Sequence, residues 1–178
     1  MLEKRKYQED CLNALRKKFN KGKKRLLLVL PTGSGKTVIF SKITKSCFEN
    51  DKNVLILVHK KELVQQASNK LTSFGVEHGL IQSGKPWKQC SIQVASVQTL
   101  INRLEYMNHY QPSLIIVDEA HHVAPNNTWT KVLNKYPDAL TLGVTATPER
   151  LDGNNLGFYF EELVVGVNIP HLLSLIHI

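Results

Sequence analysis

Apolar and polar positions alternate along this chain with two distinct periods. Residues 26–30 (LLLVL), 54–58 (VLILV), 114–117 (LIIV) and 139–144 are apolar runs of strand length. The second has no polar residue at all, as expected of a strand in a parallel sheet covered on both faces. Shorter strands are expected at 79–81 and 92–95. Between these runs the apolar spacing becomes helical: Leu12, Leu15 and Phe19 within 2–20, Ile39, Phe40, Ile43 and Phe48 within 38–48, and Leu63, Val64, Ala67 and Leu71 after residue 61. Residues 100–106 and 126–136 are further helix candidates, with Trp129 expected in the core. Residues 151–166 read as a loop with a short closing element. Strands alternating with helices predict an α/β fold, with a mainly parallel sheet and helices on both faces.

With 178 residues and 42% hydrophobic composition, the chain can bury one core as a single domain. The longest aliphatic runs fall far short of the ~20 residues that span a bilayer, and the opening MLEKRKYQED carries no secretory signal. No membrane association and a cytoplasmic location are therefore expected. Cys11, Cys47 and Cys90 lie too far apart for a CxxC pair and read as small buried or half-buried thiols. The net charge of +8 is uneven: residues 1–72 carry 17 Lys and Arg against six Asp and Glu, the remainder six against nine. That asymmetry points to a polyanionic partner, although a basic run between a helix and a strand is equally a solvated surface.

The run 26–30 breaks at Pro31 into the turn Thr32, Gly33, Ser34, Gly35, and Lys36 and Thr37 then open a helix. Strand, glycine-rich turn, lysine, hydroxyl and helix, in that order, describe a phosphate cradle. Glycines let backbone N–H groups approach an anion, the helix N-terminus adds unpaired donors, Lys36 supplies a charge for β- and γ-phosphates, and Thr37 a ligand for Mg2+. The usual first glycine of such a turn is replaced by Leu30. At the end of 114–117, Asp118 and Glu119 follow an aliphatic strand directly, where packing alone gives acids no role. Opposite a phosphate cradle, Asp118 would hold the Mg2+ shell and Glu119 would orient or deprotonate the attacking water. An acidic helix start is the alternative. The amide of Gln8, beside Arg5 and Tyr7, suits an adenine edge, but also a solvated helix start.

Taken together these blocks resemble the first motor domain of superfamily 2 helicases over nearly the whole chain. PTGSGKT from Pro31 is similar to that family's motif I, DEAH from Asp118 to motif II, TAT from Thr145 to motif III, VHKKELVQQ from Val58 to motif Ia, SVQTL from Ser96 to motif Ib, and RKYQ to its adenine-reading entry. TATPERLDG and LGFYFEELVVG look most like bacterial and phage helicases related to the type III restriction motor and XPB-like enzymes. In that group Arg5 is commonly followed by proline, where this chain has Lys6.

The resemblance implies a RecA-like P-loop domain that binds ATP and Mg2+ and couples hydrolysis to movement along nucleic acid, DNA rather than RNA. Arg5 and Gln8 would read adenine, residues 32–37 hold the phosphates, and His59, Lys60, Ser96, Gln98 and Thr99 line the strand backbone. His121, Thr145, Ala146 and Thr147 would couple nucleotide state to that track. It further implies a second RecA-like domain bearing arginine fingers, expected to lie outside this chain. Residues 1–172 are taken as the motor domain, and 173–178 (LSLIHI) as a non-native tail resembling a translated sequencing adapter. The rival readings are an RNA helicase, a nucleotide-gated binding module with little turnover, and a small-molecule P-loop kinase, which needs neither the DEAH nor the TAT block. A guanine-specific switch is disfavoured because NKYPD, from Asn134, lacks the aspartate of an NKxD reader.

Overall fold

The computed structural model describes residues 6–147 and 156–166. Arg5, expected at the adenine, and the segment 173–178 lie outside the described residues. Seven strands form one sheet: β1 (Arg25–Val29), β2 (Val54–Val58), β3 (Gly79–Ile81), β4 (Ile92–Ser96), β5 (Leu114–Asp118), β6 (Leu140–Thr145) and β7 (Glu162–Val165), in the order β3-β4-β2-β5-β6-β1-β7. Every pairing is parallel.

Because successive side chains of a strand point to opposite faces, each aliphatic run feeds two cores at once. Val54, Ile56 and Val58 pack on one face with α1 (Lys6–Asn20), α2 (Lys36–Glu49) and α3 (Lys61–Ser73). Leu55 and Leu57 pack on the other with α4 (Val97–Ile101) and α5 (Thr128–Asn134). This two-faced burial is why the central strand β2 carries no polar position and β5 only Asp118 at its end. Ile39, Phe40, Val64, Ala67 and Leu71 are buried as their helical spacing requires, while Ile43, Phe48 and Leu63 sit half-buried at the core margin. Among the described residues no helix is long and apolar enough to cross a membrane.

Two elements differ from expectation. The helix expected at 100–106 starts earlier, at Val97, and gives way to a 3-10 turn at Leu104–Met107, so Gln98 and Thr99 lie inside α4 rather than before it. The short closing element near residue 160 is β7, a full edge strand pairing with β1. Phe160, just before it, packs so tightly on β6 that a Cβ at Gly143 would lie 2.5 Å from its ring.

Candidate functional site

A parallel sheet brings the carboxyl ends of all its strands to one edge, and most of the candidate residues gather there. After β1, Leu30 N–H donates to the Thr145 carbonyl (2.9 Å), and the chain turns through residues 31–35. Gly33 (φ +77°) and Gly35 (φ +89°) occupy the left-handed region that side chains disfavour. Ser34 is buried, its hydroxyl donating to the Pro31 carbonyl at 2.6 Å. Gly35 caps α2, its carbonyl accepting from Val38 and Ile39 N–H. Thr32 is exposed, and Lys36 and Thr37 open the helix half-buried.

The amino-terminal helix braces this turn from behind. Tyr7 and Gln8 are buried, against the expectation of a solvated helix start, because the Tyr7 hydroxyl donates to the Ser34 carbonyl and the Gln8 amide lies against Gly35. A Cβ at Gly35 would sit 3.0 Å from Gln8 Nε2. Lys42 of α2 donates to Gln8 Oε1 at 3.3 Å and pairs with Glu9 at 3.4 Å. The adenine candidate is thus held at the turn from two helices.

Across from the turn, Asp118 is the last residue of β5, and Glu119 follows with a left-handed backbone (φ +52°) unusual for a non-glycine residue. Glu119 N–H donates to Asp118 Oδ1 (3.1 Å). The Lys36 ammonium lies 3.2 Å from Glu119 Oε1, so groups 83 positions apart in sequence meet as a half-buried ion pair. His121 Nδ1 lies 3.3 Å from Glu119 Oε2 and 3.1 Å from Thr145 Oγ1. The fully buried Thr145 hydroxyl donates to the Thr147 carbonyl and accepts from Thr147 N–H. With that proton spent, His121 Nδ1 must be the donor. Ala146 is half-buried between the two threonines.

Burial and the neighbouring Glu119 carboxylate push Asp118 up to about 6, with Lys36 opposing. Two carboxylates therefore share one lysine, a charge set with room for a cation. A divalent ion held by Asp118 and Thr37, hard oxygen donors of the kind Mg2+ takes, fits that imbalance.

The nucleic-acid candidates form a second group on the same edge. Ser96 Oγ donates to Gln98 Oε1 (3.0 Å), and Gln98 Nε2 reaches His59 Nδ1 at 3.2 Å. Lys60 is exposed at the start of α3, and Thr99 is half-buried in α4. Sequence reasoning missed how this group joins the first: His59 stacks on His122 with ring centroids 4.2 Å apart, and His122 lies 4.3 Å from the His121 ring. Trp129 closes the column 6.1 Å from His122, so it packs in the core as expected while backing the histidines. Burial and the two neighbouring imidazoles hold His122 below the ordinary histidine value. The one available signal was the adjacency of His122 to the acidic strand end.

A family model described as type III restriction enzyme, res subunit, matches residues 1–150. The chain is 35% identical over 144 residues to a 51.5 kDa protein of a Lactococcus phage, covering 81% of this chain and 29% of that protein. It is 31% identical over 155 residues to the DNA 3'-5' translocase XPB2 of Sulfurisphaera tokodaii, covering 86% and 33%. Among solved structures, the Pyrococcus furiosus Hef helicase domain matches with a TM-score of 0.75 at 26% identity, over 97% of this chain and 40% of that one. The chain spans about a third of the length of these two relatives.

Proposed function

This chain belongs to the family of the type III restriction enzyme res subunit, and on that premise we propose that it is the ATP-binding half of a motor that moves along DNA. It is a RecA-like domain of the superfamily 2 helicase type. The observation that carries the finer reading is the 3.2 Å contact between Lys36, at the end of a glycine-rich turn, and Glu119, beside the half-buried Asp118.

In this reading the turn 32–35 and the start of α2 bind the triphosphate, and Lys36 leaves Glu119 to meet the β- and γ-phosphates. Glu119 is then free to orient and deprotonate the attacking water. Bound Mg2+, held by Thr37 and Asp118, would supply charge neutralisation to the phosphates. Gln8 and Arg5 read the adenine. His121 senses the Glu119 carboxylate at one nitrogen and, through Thr145 and the His122–His59 stack, connects it to Lys60, Ser96, Gln98 and Thr99, which hold the strand backbone. Arginine fingers from a second RecA-like domain are worth about 10³ to 10⁵ in rate, so this 178-residue chain by itself binds nucleotide and turns it over slowly.

Nucleotide binding and ATP turnover, each measured with and without single-stranded DNA, test the reading. Binding that needs Lys36 and slow turnover that needs Glu119 support it. Nucleotide affinity unchanged by Lys36→Ala would remove the phosphate assignment. The second reading, a nucleotide-gated binding module, predicts strand affinity that responds to nucleotide without turnover even after the rest of the motor is supplied.

A further inference from the structure

Away from the two groups already described, Trp87 (37% exposed) and Tyr106 (75% exposed) line one cavity of about 480 Å³. Its floor is apolar, from Ile81 and Met107, and its rim carries Lys85 and Arg103. The cations there are available. Among the described residues Lys85 reaches only the neutral Gln65, at 3.5 Å, and Arg103 has no ion-pair partner, whereas nearby Lys88 is neutralised by Glu77 at 2.8 Å.

The cavity adjoins the strand track. Ile81 is the last residue of β3 and pairs with Ala95, the residue before Ser96. Arg103 follows α4, the helix that carries Gln98 and Thr99. Exposed aromatic faces beside unpaired cations are the combination that holds single strands: rings stack on bases of any identity while the cations track phosphates. An apolar protein segment seated here would leave Lys85 and Arg103 without counter-charge, which favours a polyanion as the occupant.

We propose that this cavity takes an unpaired nucleobase of the strand that runs past His59, Ser96 and Gln98, with Trp87 and Tyr106 as stacking faces and Lys85 and Arg103 on the flanking phosphates. The proposal rests on the nucleic-acid reading of that track and adds a contact to the bases themselves, tolerant of sequence.

The test compares binding of the 178-residue chain to a labelled oligothymidylate and to an abasic strand of the same length, by fluorescence anisotropy. Trp87→Ala lowers affinity for oligothymidylate by about 5- to 150-fold, the range for loss of one base stack, leaves the abasic strand unchanged, and is largely rescued by Trp87→Phe. Tyr106→Ala, at a position exposed enough to be removed without disturbing the core, shows the same strand selectivity and carries the test if Trp87→Ala misfolds. Equal losses on both strands, or no loss on either, overturn the base-stacking assignment and leave the track intact; the second result turns the cavity over to a protein partner. Failure of the wild-type chain to bind either strand overturns the nucleic-acid reading and this inference with it.

Discussion

Lys36 and Glu119 hold each other at 3.2 Å. The cation that the phosphate reading needs and the base that hydrolysis needs are thereby both occupied. Glu119→Gln removes the negative partner and frees Lys36 for phosphates. Nucleotide affinity of the variant is expected to equal or exceed wild type, while turnover falls by about 10² to 10⁴, the range for loss of a general base. Isothermal titration with a non-hydrolysable analogue and a phosphate-release assay measure the two effects; turnover at the wild-type rate removes Glu119 from the chemistry.

Asp118 has its proton affinity raised to about 6 from an ordinary 3.8, burial being the main cause. A carboxyl with a higher value in the folded state binds its proton more tightly there, so its contribution to stability is present at low pH and is lost as pH rises through about 6. Asp118→Asn is therefore expected to melt above wild type near neutral pH, with the gap closing between about pH 6 and pH 4. Protons also compete with Mg2+ for the same oxygens, so magnesium-dependent nucleotide affinity should weaken as pH falls through about 6. Melting curves across that window check the first expectation, and a pH-independent gap contradicts it.

Gly35→Ala places a Cβ on a left-handed backbone, 3.0 Å from Gln8 Nε2. The strain is worth about 1 to 2 kcal/mol, and the displaced amide lies at the proposed adenine site. A lower melting temperature together with weaker nucleotide binding is expected; Gly33→Ala, where a Cβ meets nothing within 4 Å, shares the backbone strain without moving Gln8.

Thr145→Val keeps the volume of a fully buried side chain but removes the oxygen that accepts from Thr147 N–H and from His121 Nδ1–H, leaving the imidazole to Glu119 Oε2 alone. A hydrogen bond lost without leaving a buried donor unmet costs about 0.5 to 1.5 kcal/mol. Denaturant unfolding should read a loss of that size. Basal nucleotide binding should survive, while any stimulation of turnover by DNA disappears, which a strand-titrated ATPase assay on the assembled motor would detect.

Lys60→Ala removes one exposed cation at the start of α3. If it meets a phosphate, the dependence of log affinity on log salt for a single strand becomes shallower by about 0.7. An unchanged slope places Lys60 off the track.

The parts of the fold visible in the sequence are those where one local rule decides the outcome. A run such as VLILV, five residues long and bounded by polar turn residues, reads as a strand covered twice, and the strand–glycine–lysine–hydroxyl order turns at its glycines. The edge strand β7 was harder, because Leu163 and Val165 remain exposed and give no buried run. Ser96 both ends β4 and stands at the N-cap of α4, its hydroxyl turned to Gln98 Oε1 and not to a backbone N–H, so strand and helix follow each other with no turn between them. At the site, residue types and spacing pointed to Lys36, Asp118 and Glu119, but the left-handed turn at Glu119 has no glycine or asparagine to announce it. The His59–His122–Trp129 column joins three elements across the sheet edge, and adjacency in space among distant positions leaves no local pattern to read.

The strands bearing the lysine turn and the acid pair never touch. β6 lies wedged between them, and its last residue grips both sides: the Thr145 carbonyl takes Leu30 N–H and its hydroxyl takes His121. A shift of that one residue would therefore displace the Leu30 end of the lysine turn and the His121 side of the acid pair together, like a single bolt through two plates.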